Sequence, residues 1–196
     1  MQNPSAGKIV LASSSSYRQQ LLERFLDDYE TVSPGVDEAL DIDDPQQLAV
    51  SLARMKAEAV STAYREALII GADQLAVLED RVLGKPGDHQ KAVEQLVQAS
   101  GKTLTFLTAV CVLDPVEKRR YEHLDKTLVR FRNFDRRLAE AYLKHDQPYD
   151  CAGSFKIEGS GFVLFESVST DDPTALIGLP MIWLSGRLLE LGYLTA

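Results

Sequence analysis

The stretch Ile69-Ile70-Gly71-Ala72-Asp73-Gln74-Leu75-Ala76-Val77, followed by Leu83-Gly84-Lys85-Pro86, sets the fold. A short apolar run delivers an acid, a second apolar segment follows, and a lysine returns in a tight Gly/Pro turn. An aspartate at the end of a buried strand is costly unless a cation meets it. Asp73 is therefore the first candidate for chemistry, against the plainer reading of an acid that caps a turn.

Outward from that stretch, residues 68–72 read as a strand, and residues 75–78 and 81–83 as a hairpin around Glu79-Asp80. Upstream, residues 8–12 form a short apolar strand. Four serines and Tyr17-Arg18 then lead into a helical pattern of Leu21, Leu22, Phe25 and Leu26. The serines can cap that helix, leaving the N–H groups of its first turn open to an anion. Residues 29–33 are a second strand, ended by Pro34-Gly35. An acidic loop carrying Asp37-Glu38 reaches Asp44-Pro45, a helix start with an acid at the cap and proline at the first helical position. This helix runs to about Tyr64, with Leu48, Leu52, Met55 and Ala59 on its buried face and Arg54, Lys56 and Glu58 off or beside it.

Downstream, Asp88 caps a helix with Ala92, Val93, Leu96 and Val97 inward and Gly101 past its end. Long strands over 103–113 and 119–131 flank an Asp114-Pro115 turn. A helix over 135–145, a glycine-rich segment over 151–161, a strand over 162–168 and a final helix over 180–191 complete the chain. Alternating strands and helices followed by long neighbouring strands predict an α/β fold. We expect a mixed, elongated sheet with flanking helices in a single domain, residues 1–196.

The 196 residues suffice for one core, and 45% hydrophobic with 26% charged residues is ordinary globular composition. The net charge of −8 supplies no basic field for nucleic acid or an anionic membrane. Cys111 and Cys151 suggest neither a disulfide framework nor a zinc site, and His89, His123 and His145 are scattered. With no signal-peptide pattern and no apolar run near bilayer length, we expect a soluble, cytoplasmic protein.

Polar clusters gather at the ends of predicted elements: Ser13 to Arg18, Asp37-Glu38, Asp73-Gln74 with Lys85, and Phe155 to Glu158, with Lys56 as a further candidate. A serine-rich strand-to-helix loop followed by arginine suits phosphate, although a solvated capping loop would look the same. Glu38 and Asp73, brought together, would make an oxygen site for Mg²⁺, and Lys56 and Lys85 would neutralise phosphate oxygens. Each of Glu38 and Lys56 alone reads equally as a solvated surface residue. Lys85 sits in a turn defined by Gly84 and Pro86. No serine, cysteine or histidine combination resembles a nucleophilic triad, which leaves metal-assisted attack of water on phosphorus.

Six motifs in order resemble the Maf family of nucleotide pyrophosphatases. They are Leu11-Ala12-Ser13-Ser14-Ser15-Ser16-Tyr17-Arg18, Val36-Asp37-Glu38, Arg54-Met55-Lys56-Ala57, Gly71-Ala72-Asp73-Gln74, Leu83-Gly84-Lys85-Pro86 and Gly153-Ser154-Phe155-Lys156-Ile157-Glu158-Gly159. Leu176-Ile177-Gly178-Leu179-Pro180 follows in the same order. The resemblance implies a fold similar to the inosine-triphosphate pyrophosphatases, with two lobes around a cleft, and a homodimer. It implies hydrolysis of a nucleoside triphosphate to monophosphate and pyrophosphate with a divalent metal, Mg²⁺ or Mn²⁺. Asp73 takes the family's proton-acceptor position and shares the metal with Glu38. Arg18, Lys56 and Lys85 take its phosphate-binding positions, with Ser13 in the phosphate loop. Ser16 and Gln19 stand where the family has proline and a second arginine, so weaker triphosphate binding is expected.

Tyr17, Gln74 and Glu158 resemble the YceF-like subgroup, which acts on 7-methyl-GTP, with tyrosine in place of a tryptophan. A 7-methylated guanine is cationic and stacks on an aromatic face, and Glu158 can accept from the N1–H and N2–H₂ edge. Gln74 can donate to O6 or accept elsewhere. Activity on dTTP or UTP, a broad house-cleaning role, and a non-catalytic role in cell division are the alternatives.

Overall fold

The computed structural model describes residues 2–195. Its frame is one seven-stranded mixed sheet in the order β2-β1-β3-β5-β6-β7, with β4 paired to β3 beside that path. The strands are β1 Ile9–Ala12, β2 Glu30–Val32, β3 Leu68–Leu78, β4 Arg81–Leu83, β5 Thr103–Asp114, β6 Arg119–Phe131 and β7 Phe165–Ser169. The helices are α1 Ser16–Leu22, α2 Pro45–Ser61, α3 His89–Ala99, α4 Arg136–Asp146 and α5 Met181–Glu190. Asp44, Asp88 and Asp135 each cap a helix by accepting a backbone N–H, from Gln46, Lys91 and Leu138 respectively.

β3 is the strand that the sheet is built on. The sequence reading breaks it after residue 72, but the structure keeps it continuous for 11 residues. Burial on both sides favours an unbroken ladder, and β5 supplies one, pairing antiparallel from Ile69↔Leu113 to Leu78↔Leu104. The other edge of β3 is shared. β1 pairs with it in parallel as far as Ala12↔Gly71, and β4 pairs antiparallel from Ala76↔Leu83. Residues 72–75 lie in the gap between those two neighbours. Asp73 and Gln74 therefore sit mid-strand, in the opening of an otherwise paired edge, and not at a strand end as expected.

Side-chain alternation divides the core into layers. Ile9, Leu11, Leu68, Ile70, Val110 and Val112 face Leu184 and Leu188 of α5 and Leu21 and Leu22 of α1. Val10, Ile69, Ala109 and Cys111 face Ala49, Ala53 and Ala57 of α2. A second lobe packs α3 and α4 over the far ends of β3, β5 and β6, with Phe106, Phe131, Phe155 and Phe165 edge-to-face at its centre.

Several inward faces differ from expectation. On α2 the buried residues are Ala49, Leu52, Ala53, Lys56, Ala57 and Val60, while Ala59 is exposed and Leu48 and Met55 are half-buried. The helix rotates its small residues onto the sheet because Gly71 lies beneath it. A Cβ at Gly71 would sit 2.3 Å from the Ala53 carbonyl oxygen and 2.7 Å from the Ala57 nitrogen. Val97, Leu138, Ile182 and Leu189 are exposed, so α3, α4 and α5 bury narrower stripes than their apolar content suggests. The last strand begins at Phe165 because Gly161–Leu164 forms a 3-10 turn.

Gly71→Ala tests the helix–strand approach. It should cost about 3 kcal/mol in denaturant unfolding, the upper range for overpacking a close-packed core, because the clash is with backbone that cannot swing away. A loss under about 0.5 kcal/mol would show that α2 has room to retreat.

Candidate active site

A cleft of about 640 Å³ opens at the gap in β3, between the two lobes. Ser13, Tyr17, Arg18, Glu38, Lys56, Asp73, Gln74, Lys85 and Glu158 all line it. The sequence-predicted residues thus converge from β1 and α1, the acidic loop, α2, β3, the turn after β4, and the segment before β7.

At its floor is a three-membered charge group. Lys56 Nζ lies 2.5 Å from Asp73 Oδ1 and 2.7 Å from Glu38 Oε1. Lys56 and Asp73 are both buried, whereas the Glu38 side chain is 57% exposed. Burial of Lys56 follows from the phase of α2: the rotation that brings Ala53 and Ala57 onto Gly71 also aims Lys56 at the sheet. Asp73 Oδ2 has no hydrogen-bond partner among the described residues, yet it is not among the buried atoms lacking one. That oxygen is open to the cleft.

Arg18 forms the second cationic group. Its Nε donates to the Gly178 carbonyl at 3.0 Å and its Nη1 to Ser13 Oγ at 3.2 Å. Burial lowers its pKa from the ordinary value, and the negative fields of Asp73 and Glu38 oppose that shift. Ser13 is buried, and its Oγ also accepts from Ser15 N–H. Ser15 caps α1 by accepting from Arg18 N–H. These bonds use the N–H groups of Ser15 and Arg18, while those of Ser16 and Tyr17 in the first turn have no acceptor among the described residues. Lys85 is exposed, with no ion-pair partner among the described residues. Ser16 lines the cleft and Gln19 does not.

Tyr17 is half-buried, and its hydroxyl lies 3.7 Å from the Cys151 thiol. Burial pushes its phenol well above the ordinary range, with the Cys151 contact adding to the shift. Cys151 is itself pushed up to about 11 by burial, so this thiol stays protonated and unreactive near neutral pH. Glu158 is exposed at the rim, and partial desolvation raises its pKa from the ordinary value. Its segment is anchored by Phe155 in the aromatic core and by Lys156 N–H donating to Tyr142 Oη at 3.1 Å.

Gln74 is held by groups that the sequence did not reveal. Its Nε2 donates to Thr108 Oγ1 at 3.0 Å, to the Ala175 carbonyl at 2.8 Å and to the Leu176 carbonyl at 3.2 Å. Gly178 was also missed as the seat of Arg18. Its φ of +136° and the 3.4 Å approach of the Arg18 side chain to a Cβ built there explain the glycine. The nearest sequence signal was the 176–180 motif, which named the loop without its partners.

Glu38 and Asp73 both contact one nitrogen, so their carboxylates converge and suit a divalent cation that completes its shell with phosphate oxygens and water. Among the described residues no group of three or more His, Cys, Asp or Glu side chains gathers for an all-protein metal site. No helix among the described residues is long and apolar enough to cross a membrane.

Paired carboxylates, a buried lysine with a half-buried arginine, and a nucleotide-sized cleft on a mixed sheet define a phosphate-handling enzyme. The chain belongs to the Maf family: the family model for Maf-like proteins matches residues 8–191. It is 44% identical to a 7-methyl-GTP pyrophosphatase of Cupriavidus metallidurans over 98% of both chains. It is 47% identical to one of Alkalilimnicola ehrlichii over 94% of both. Among solved structures, the Staphylococcus aureus Ham1 protein aligns with a TM-score of 0.48 at 14% identity, covering 79% of this chain and 89% of that one.

Removing one partner from a buried ion pair leaves an unpaired charge and typically costs about 3–5 kcal/mol. Lys56→Met should therefore destabilise the fold by about 3 kcal/mol in urea unfolding at neutral pH. Adding Asp73→Asn should recover most of that loss. Additive losses in the double variant would contradict the coupling.

Proposed function

We propose that this chain hydrolyses 7-methyl-GTP to 7-methyl-GMP and pyrophosphate. The chain is a nucleotide pyrophosphatase; the substrate and the roles of the residues are our reading. The observation that carries it is the open oxygen of Asp73 beside Lys56, in a cleft that also presents Arg18 and Lys85.

In this reading the triphosphate lies across Ser13, Arg18, Lys56 and Lys85. Lys56 holds Asp73 Oδ1 and so fixes the direction of Oδ2. Oδ2 accepts a proton from water as that water attacks the α-phosphorus. The bond from the α-phosphorus to the bridging oxygen breaks, and pyrophosphate leaves. Arg18 and Lys85 stabilise the charge spread over the phosphate oxygens. Glu38 and Asp73 would hold a divalent cation, Mg²⁺ or Mn²⁺. When bound, it supplies further charge neutralisation at the phosphate oxygens.

The base end supports the choice of nucleotide. The ring of Tyr17 lines the cleft and can stack on a cationic 7-methylguanine. Glu158 offers a carboxylate to the N2–H₂ end of the guanine edge, leaving N1–H to a second acceptor. The names of the Cupriavidus and Alkalilimnicola relatives point the same way. Two free thiols, Cys111 and Cys151, suit a reducing compartment, and we place the enzyme in the cytoplasm.

The test is pyrophosphate release from 7-methyl-GTP, GTP, dTTP and UTP, with and without Mg²⁺. We expect 7-methyl-GTP to lead. Asp73→Asn should lower kcat by about 10²–10⁴-fold, the usual worth of a positioned general base. Tyr17→Ala should raise KM for 7-methyl-GTP by roughly 2–30-fold, the span of a cation–π contact, while leaving KM for UTP unchanged. A pyrimidine preference would sink the choice of nucleotide. Near-normal turnover by Asp73→Asn would sink the assignment of the base.

A further inference from the structure

We propose that Thr108 is a positioning residue. It fixes Gln74 as a one-way hydrogen-bond acceptor, so that the site favours bases carrying a ring N–H over bases whose corresponding ring nitrogen bears a lone pair. The inference rests on reading the cleft as a nucleotide site.

The orientation of the Gln74 amide follows from its partners. Two of the three atoms around Nε2 are the carbonyl oxygens of Ala175 and Leu176, which can only accept. Flipping the amide would bring Oε1 against both. The third partner is equally one-sided. Thr108 Oγ1 donates its only proton to the Ala175 carbonyl at 2.9 Å, so it meets Gln74 with a lone pair. The two amide hydrogens are therefore committed to three acceptors. Thr108 lies directly opposite Gln74 in the β3–β5 register and is fully buried, which makes the lock rigid.

What remains for a ligand is Oε1. Among the described residues nothing donates to it, and it is not among the buried atoms without a partner. It is open to the cleft that Gln74 lines. An acceptor held in this way attracts the N1–H of guanine or the N3–H of uracil and thymine. It repels the lone pair at N1 of adenine and N3 of cytosine. An unlocked glutamine would turn its amide to suit either kind, so the selectivity depends on the lock.

The experiment measures kcat/KM for GTP against ATP and for UTP against CTP in the wild type, Thr108→Val and Thr108→Ser. Valine keeps the shape and removes both hydroxyl bonds, while serine keeps the hydroxyl. We expect the wild type to favour the ring N–H member of each pair. Thr108→Val should cut both ratios about tenfold, the worth of one hydrogen bond of about 1.4 kcal/mol, mainly through KM, and Thr108→Ser should restore them. If the valine variant does not fold, Gln74→Met, which keeps the volume and loses the carbonyl, should collapse the same ratios. A wild type indifferent within both pairs overturns the proposal. So does a Thr108→Val variant that loses activity equally on all four nucleotides, as a purely structural residue would. The choice of 7-methyl-GTP is scored separately. If a pyrimidine proves the best substrate, that choice falls and the UTP/CTP ratio still decides the role of Thr108.

Discussion

The contact between Lys56 and Asp73 is the constraint around which the molecule is arranged. A buried carboxylate in the middle of a strand must meet a cation, and here the cation comes from a helix that crosses the same strand. The lysine reaches it only if α2 lies close to β3. That closeness explains Gly71, which has no room for a Cβ, and the alanines at 49, 53 and 57. One electrostatic requirement thus determines a packing distance, a helix phase and the composition of two elements. Glu38 joins from the solvent side, so the charge group runs from core to surface and opens on the cleft.

A second support comes from the loop before α5. Its carbonyls hold both specific side chains of the cleft: Ala175 and Leu176 receive Gln74, and Gly178 receives Arg18. The loop is pinned in turn by a buried acid. Asp172 Oδ1 accepts from the backbone N–H and hydroxyl of Thr174, and Oδ2 accepts from Ile182 N–H at the start of α5. Thr174 Oγ1 in turn accepts from Met181 N–H at 2.9 Å. In the proposed reading, phosphate and base recognition thereby share one platform, which suits catalysis by preorganised charge.

Much of this was legible in the sequence. Asp44, Asp88 and Asp135 announce helix starts because capping is a local affair of a few residues. The apolar runs announce their strands for the same reason. The mixed sheet followed from the order of elements, and the candidate residues followed from motif resemblance. What the sequence hid were relations across the fold. By periodicity the larger apolar residues Leu48 and Met55 outweigh the alanines of α2, whereas a glycine beneath the helix favours the small face. An acid in a strand reads as its end, so the sequence pattern breaks β3 before Asp73. Only the pairing of β5 with one edge, and of β1 and β4 with the other, shows that the acid occupies a gap. Thr108 was invisible until the register placed it opposite Gln74. The orientation of the Gln74 amide depends on carbonyls about 100 residues away.

The central claim is that the cleft hydrolyses a nucleoside triphosphate by attack of water at the α-phosphorus. Hydrolysis of 7-methyl-GTP in oxygen-18 water, followed by mass spectrometry of both products, tests it directly. Attack at the α-phosphorus puts the heavy oxygen in 7-methyl-GMP and leaves pyrophosphate unlabelled. Label in pyrophosphate, or release of inorganic phosphate in its place, would contradict the account.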